Sequence, residues 1–264
     1  MWRDFSFTLI IKGKYKNKAF IKKILRIILY YGIKGMMELK KLKELKSYKR
    51  EGFYLMIYLI LTASYKLFNT PREMVYDLTI GIDRLIPFTK EFIVFYYIWY
   101  LFLAVTIIGL LLKDRESYFR YLKGLSLGLI GAYLTYTFFQ STVPRPEVIG
   151  NDIFAIMVRQ IYAIDNPYNC FPSIHVFATV YGCLVISKSY FNKNRIFKVT
   201  MYITGFLIIL STLFVKQHVI LDAVGGSALA YLVYVLYYKR EGERLRLWIK
   251  KLFSSLTMKK KLEI

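Results

Sequence analysis

The sequence predicts an all-α protein: a polytopic membrane helix bundle with six transmembrane helices. Three observations predict it. Of the 264 residues, 56% are hydrophobic and the mean hydropathy is +0.38, which exceeds what a soluble core of this size asks for. The apolar residues gather into six runs, each close to the ~20 residues that cross a bilayer core. Lys and Arg crowd the two ends of the chain and the short connections, as they do on the cytoplasmic side of membrane proteins.

The elements follow in order. Residues 1–51 form a basic N-terminal segment. Within it, Phe20–Tyr31 sets Ile21, Ile24, Leu25 and Ile28 at helical spacing with Lys22, Lys23 and Arg26 between them. That pattern suits an amphipathic helix lying in the cytoplasmic interface, and a loosely ordered basic tail is the other reading. Residues 38–50 alternate Lys, Leu and Glu and read as a solvated helix. A six-helix membrane domain then occupies 52–238, with runs near 52–68, 92–112, 119–139, 173–189, 198–215 and 219–238. Without water to satisfy the backbone, helix is the spanning form for such runs. Tyr96, Tyr97, Trp99 and Tyr100 gather near the start of one of them, where amphipathic rings favour the interface. A basic tail, 239–264, closes the chain.

Orientation follows from the Lys and Arg bias. Both termini are expected in the cytoplasm of a multi-pass cell-membrane protein, and an even number of spans agrees. The connections at 113–118 and 190–197 carry Lys113, Arg115, Lys193 and Arg195 and fall on the same side. The long connections at 69–91 and 140–172 face outward and carry Glu73, Asp77, Asp83, Glu147, Asp152 and Asp165.

A net charge of +22 admits nucleic acid or an anionic membrane surface as partner. The hydropathy and the placement of the bases favour the membrane surface and argue against nucleic acid. Cys170 and Cys183 make no disulfide framework. Four lysines between Lys12 and Lys18, and no A-x-A-like site in the first 20 residues, predict no cleavable signal peptide.

Chemistry gathers in three polar clusters at helix ends. The chain has two histidines, and each sits in one cluster. Asn169-Cys170-Phe171-Pro172-Ser173-Ile174-His175 reads as a helix start, with Pro in the first turn and Ser as a cap. Lys216-Gln217-His218-Val219-Ile220-Leu221-Asp222 places His218 and Asp222 four apart, hence on one face of a helix. A carboxylate there can accept the ring N–H and leave the other nitrogen free as a nucleophile. Pro144-Arg145-Pro146 opens the second outward loop, and Arg145 offers a planar fork for phosphate oxygens. In the expected topology all three clusters reach the outer side. Each residue also has a structural reading: an interhelical hydrogen bond for either histidine, an interfacial anchor for Lys216, a cap for Ser173. Two His and one Asp suit zinc, but Arg145 and Lys216 beside them would repel a cation, so neither metal nor cofactor is expected.

On these residues the chain resembles the type 2 phosphatidic acid phosphatase superfamily, whose pattern is Lys-x6-Arg-Pro, Pro-Ser-Gly-His, then Ser-Arg-x5-His-x3-Asp. Arg145-Pro146 matches the end of the first motif, Pro172-Ser173-Ile174-His175 the second. Ser211-Thr212, five residues, then His218 to Asp222 match the third. The resemblance covers roughly residues 52–238. Phe138 stands where the family has lysine, Ile174 where it has glycine and Thr212 where it has arginine. Phe-Pro-Ser-x-His, Ser-Thr-x3-Lys-Gln-His and the stretch from Asp83 to Ile86-Pro87-Phe88 are similar to the inositol phosphorylceramide synthase-like branch.

The resemblance implies an integral membrane lipid phosphatase acting on a lipid phosphate or diphosphate through a phosphohistidine. It implies His218 as nucleophile, Asp222 holding its ring, and His175 as general acid. Arg145, Ser173 and Lys216 would bind the phosphoryl oxygens, Lys216 in place of the family arginine. A lipid head-group phosphotransferase would use the same residues, with an alcohol in place of water. A non-catalytic membrane protein or transporter that keeps the fold is the third expectation.

Overall fold

The computed structural model describes residues 48–238. The expected interfacial helix at Phe20–Tyr31, nearly all of the 38–50 stretch and the tail 239–264 lie outside the described residues. The described elements from Glu51 onward belong to one compact unit.

Seven α-helices are described: α1 (Lys49–Phe68), α2 (Ile93–Lys113), α3 (Arg115–Phe138), α4 (Ile153–Ile164), α5 (Ile174–Ile186), α6 (Arg195–Phe214) and α7 (Ile220–Tyr238). Each of the six apolar runs read from the sequence becomes one of these helices. Side-chain caps set four of the starts. Asp114 accepts from Ser117 N, Asp152 from Phe154 and Ala155 N, Ser173 from Val176 N, and Asn194 from Phe197 N. Each satisfies amides that the first helical turn leaves without an intrahelical partner.

Among the described residues, three helical stretches are long and apolar enough to cross a membrane: Lys90–Lys113, Arg195–Phe214 and Ile220–Tyr238. Their outer faces expose Leu101, Ile108, Ile203, Phe206, Val224 and Leu232, a surface that points to membrane association rather than to water. The other three predicted spans fall short of those criteria for visible reasons. α1 carries Lys49, Arg50 and Glu51 at its start and Lys66 near its end, α3 is diluted by Gly, Ser, Tyr and Thr beyond its charged first turns, and α5 has 13 residues.

Two features of the long connections depart from the sequence reading. The loop expected over 140–172 contains α4, an amphipathic helix of 12 residues that buries Ala155, Val158 and Ile161. The all-α class also admits one small parallel pair, β1 (Tyr76–Asp77) with β2 (Ser141–Thr142), in register Tyr76↔Ser141 and Asp77↔Thr142. It ties the two long connections together.

The bundle is built around α5, which packs most extensively on α7 and also on α2, α3 and α6. Lipid is as apolar as leucine, so such packing depends on close fit and small residues. Gly128 of α3 lies beneath the ring of Phe177 of α5, and Gly124 beneath that of Tyr181. Gly226 of α7 does the same for the backbone of α5: a Cβ there would stand 2.5 Å from the carbonyl oxygen of Ser173. That contact lets the start of α5 meet the start of α7, where the two histidines lie.

Candidate active site

The turn between α6 and α7 is the scaffold of the site. α6 ends at Phe214, and Lys216 takes a left-handed conformation with φ of 51°. Lys216 N donates to Leu213 O at 3.1 Å, and Gln217 N donates to Thr212 O at 3.0 Å. These are the two hydrogen bonds of a Schellman helix end. His218 N also donates to Thr212 O, at 3.1 Å. A lysine in that conformation costs about 1–2 kcal/mol where glycine would cost nothing. The helix has already ended, so Lys216 reaches the site from the turn.

His218 precedes α7 rather than lying on it, yet its pairing with Asp222 holds. Its Nδ1 faces Asp222 Oδ2 at 3.3 Å, and the same oxygen accepts from Val219 N at 3.0 Å. Asp222 is fully buried, and its Oδ1 has no partner. The carboxylate therefore holds both the ring and the backbone of the turn, and it leaves Nε2 of His218 as the free ring nitrogen.

Arg145 is fixed from three sides. Its Nη1 donates to Asp165 O at 2.7 Å and Tyr162 O at 3.3 Å, and its Nη2 to Gln217 Oε1 at 2.5 Å. The guanidinium also lies over the Tyr162 ring, 4.4 Å from its centroid. A guanidinium has five donors; three are used, and Nε is buried without a partner. Lys216 Nζ donates to Asp83 O at 3.1 Å and Ile86 O at 2.6 Å, which leaves the third ammonium donor. Burial lowers the Lys216 pKa, and Asp83 opposes that. Arg145, Lys216 and His218 line one cavity of about 320 Å³, together with Asp83 and Arg84.

His175 and Ser173 lie at the start of α5. The rings of His175 and His218 are 5.9 Å apart between centroids. His175 is buried against Tyr96 and Trp99 and lines a second cavity. Ser173 is fully buried; its hydroxyl caps α5, and its N–H donates to Asp222 O at 3.1 Å. Neither His175 nor Ser173 is among the residues lining the Arg145 cavity. The positions of the departing family residues are also visible. Phe138 is exposed at the end of α3, while Thr212 is buried with its hydroxyl donating to Ile209 O.

Asp83 is a contributor that sequence reasoning did not assign. It is buried, its Oδ1 accepts from Ile220 N at 2.8 Å at the start of α7, and its Oδ2 accepts from Ile80 N at 2.9 Å. Gln217, between Lys216 and His218, is another. Both act through contacts between distant segments, which no local motif announces.

Cys170, His218 and Asp222 bring one donor atom each within 4.8 Å of one another. Burial, with Asp222 and Asp165 nearby, raises the Cys170 thiol well above its ordinary pKa. Arg84, Arg145 and Lys216, which line the cavity of His218, favour an anion there.

A model of the PAP2 superfamily matches residues 122–246, just under half of the chain. Arg145, Ser173, His175, Lys216, His218 and Asp222 all fall inside the match. Members of that superfamily are phosphatases or phosphotransferases. No curated protein and no solved structure matches the chain.

Proposed function

We propose that this chain is an integral membrane lipid phosphatase that hydrolyses a lipid phosphate or diphosphate through a phosphohistidine on His218. The observation that carries the reading is the His218–Asp222 pair facing a cavity that also holds Arg145 and Lys216. A ring nitrogen held by a carboxylate beside two cations suits attack on a bound phosphoryl group.

In the first step His218 Nε2 attacks phosphorus, and the bond from phosphorus to the leaving oxygen breaks in line. His175 gives its proton to that oxygen. Water then attacks the phosphorus–nitrogen bond, its proton passing to His175, and phosphate leaves with the ring of His218 restored. Asp222 holds the imidazole throughout. Arg145 and Lys216 meet the charge that builds on the phosphoryl oxygens. Ser173 supports the site by fixing the start of α5 against Asp222. An acceptor alcohol in place of water makes the same residues a phosphotransferase, the activity expected of the inositol phosphorylceramide synthase-like branch.

The proposed setting is a cell membrane crossed six times, by α1, α2, α3, α5, α6 and α7. Both termini lie on the cytoplasmic side against anionic lipid, and the site opens on the extracytoplasmic side. The coincidence of six apolar runs with six helices supports this, as does the basic character of the short connections. The test is phosphate release from a panel of lipid phosphates by purified protein. His218→Ala should abolish it in a folded protein, and Asp222→Asn should leave a small residual rate because the ring persists but is wrongly held. Wild-type turnover by His218→Ala would refute the mechanism.

A further inference from the structure

Arg84 lines the cavity of His218 together with Arg145 and Lys216, but it is held differently. Arg145 and Lys216 are tethered through their side chains, to carbonyls and to Gln217. Arg84 is exposed, and among the described residues its guanidinium has no hydrogen-bond, ion-pair or ring partner. Its five N–H donors are therefore open to solvent or to a ligand. Its backbone, by contrast, is clamped. Arg84 closes the short 3-10 turn Gly81–Arg84. Its neighbour Asp83 is buried and accepts from Ile220 N at 2.8 Å, at the start of α7, and from Ile80 N at 2.9 Å. Asp83 thus spends its two carboxylate oxygens on amides rather than on Arg84. Lys216 Nζ donates to Asp83 O at 3.1 Å and to Ile86 O at 2.6 Å, one carbonyl on each side of Arg84. The pairing of β1 with β2 joins the connection that carries Arg84 to the one that carries Arg145.

A solvated surface arginine needs no such clamp. A fixed backbone with a long unpaired cation suits an arm that meets an anion: the position is set in advance, and the planar fork closes on the ligand. We infer that Arg84 is a third phosphate-binding residue of this site, donating its fork to the phosphoryl oxygens beside Arg145 and Lys216. The inference rests on the phosphohistidine reading for the identity of the anion, and it adds a residue that none of the three motifs contains. Charge supports it. Three cations and the Asp83 carboxylate leave the cavity wall with two positive charges, the complement of a phosphate monoester, which carries roughly −1.5 to −2 at neutral pH. Without Arg84 the wall would carry one. Phe138, where the family pattern has lysine, is exposed at the end of α3, so Arg84 supplies from the first long connection a charge that the motif position lacks.

The test uses the full chain in lipid nanodiscs and reads two quantities: kcat/KM for dodecyl phosphate, and the Kd of inorganic phosphate by calorimetry. Arg84→Gln removes the charge at an exposed position. It should lower kcat/KM and raise the phosphate Kd, each by about 10- to 100-fold, as loss of a charge-assisted hydrogen bond does. Arg84→Lys keeps the charge without the fork and should recover part of both; it also covers the case in which the Gln variant does not fold. Arg72→Gln is the control for the general positive field, because Arg72 is an exposed arginine of the same connection that does not line the cavity; it should leave both quantities unchanged. Inorganic phosphate separates the phosphoryl group from the rest of the lipid. If Arg84→Gln alters turnover of dodecyl phosphate but not phosphate binding, the arm meets another part of the substrate and the inference falls. It falls equally if Arg84→Gln matches Arg72→Gln in either quantity, or if the wild type binds no phosphate. Phosphate binding that depends on Arg84, with no turnover of dodecyl phosphate by the wild type, would instead sink the phosphatase reading and leave the anion site standing.

Discussion

Gly226→Ala isolates the contact that brings the histidines together. The added Cβ would lie 2.5 Å from Ser173 O and 3.1 Å from Phe177 N. Carbon and oxygen sit comfortably at ~3.3 Å or more, so α7 and α5 must part by ~0.8 Å. Overpacking costs about 1–3 kcal/mol, of which the better helix propensity of alanine returns about 0.5–1. Net destabilisation is therefore modest, and the protein should still fold. The larger effect is geometric. The link from Ser173 N to Asp222 O runs across this contact at 3.1 Å, and the histidine rings are 5.9 Å apart over it. A displacement approaching 1 Å in a catalytic geometry costs up to about 100-fold. Turnover of a lipid phosphate by folded, quantified Gly226→Ala should therefore fall by about 10- to 100-fold. Gly131→Ala is the control, because its Cβ would meet only Leu229 at an ordinary 3.6 Å. Equal kcat for the two variants would refute the claim that Gly226 sets the spacing of the pair.

Three more outcomes follow from the same geometry. Lys216→Met should slow turnover by about 2–4 kcal/mol of barrier, as loss of a preorganised donor does, and Lys216→Arg should recover part; an unchanged kcat for Met would reduce Lys216 to a loop anchor for Asp83 and Ile86. Chelator treatment should leave activity intact, and so should Cys170→Ser; loss with EDTA and return with Zn²⁺ would make the Cys170–His218–Asp222 cluster a metal site. Asn151→Cys should react with an impermeant thiol reagent outside intact cells while Asn194→Cys should not, and the reverse pattern would invert the proposed orientation.

The helices were largely legible in the sequence because long apolar runs leave few alternatives. Their starts were less so: α3 begins at Arg115 and α6 at Arg195, each a few residues before its apolar run, because Asp114 and Asn194 cap them. Helix α4 went unread. It is amphipathic and buries Ala155, Val158 and Ile161, but at 12 residues it falls well short of the ~20 that cross a bilayer, so its apolar run passed as part of a long connection. The His218–Asp222 pairing was legible from spacing, but for a partly mistaken reason, since the helix starts after His218. The pairing survives because the turn holds His218 close enough for its ring to reach the oxygen that also takes Val219 N. What could not be read was the support: Asp83 under Ile220, Gln217 against Arg145, and the carbonyls of Asp83 and Ile86 around Lys216. Each joins segments far apart in the chain, and neither propensity nor periodicity encodes such contacts.

That support bears on how the proposed phosphate site works without two of the cations that the family pattern carries. Phe138, where the pattern has lysine, is 84% exposed at the end of α3, so no charge enters from there. Thr212, where it has arginine, is buried and spends its carbonyl on the helix end. Arg84, Arg145 and Lys216 are the cations on the cavity wall, and two of them are tethered. Arg145 is held by two carbonyls and Gln217, with Nε still unpaired; Lys216 is held by two carbonyls of the 83–86 turn. Donors fixed before the substrate arrives need no reorganisation as charge develops, which is where electrostatic catalysis draws its strength. On the proposed mechanism, Arg145 and Lys216 act as donors fixed in advance although the motif's lysine and second arginine are absent, and the left-handed turn at Lys216 is the strain that holds one of them in place.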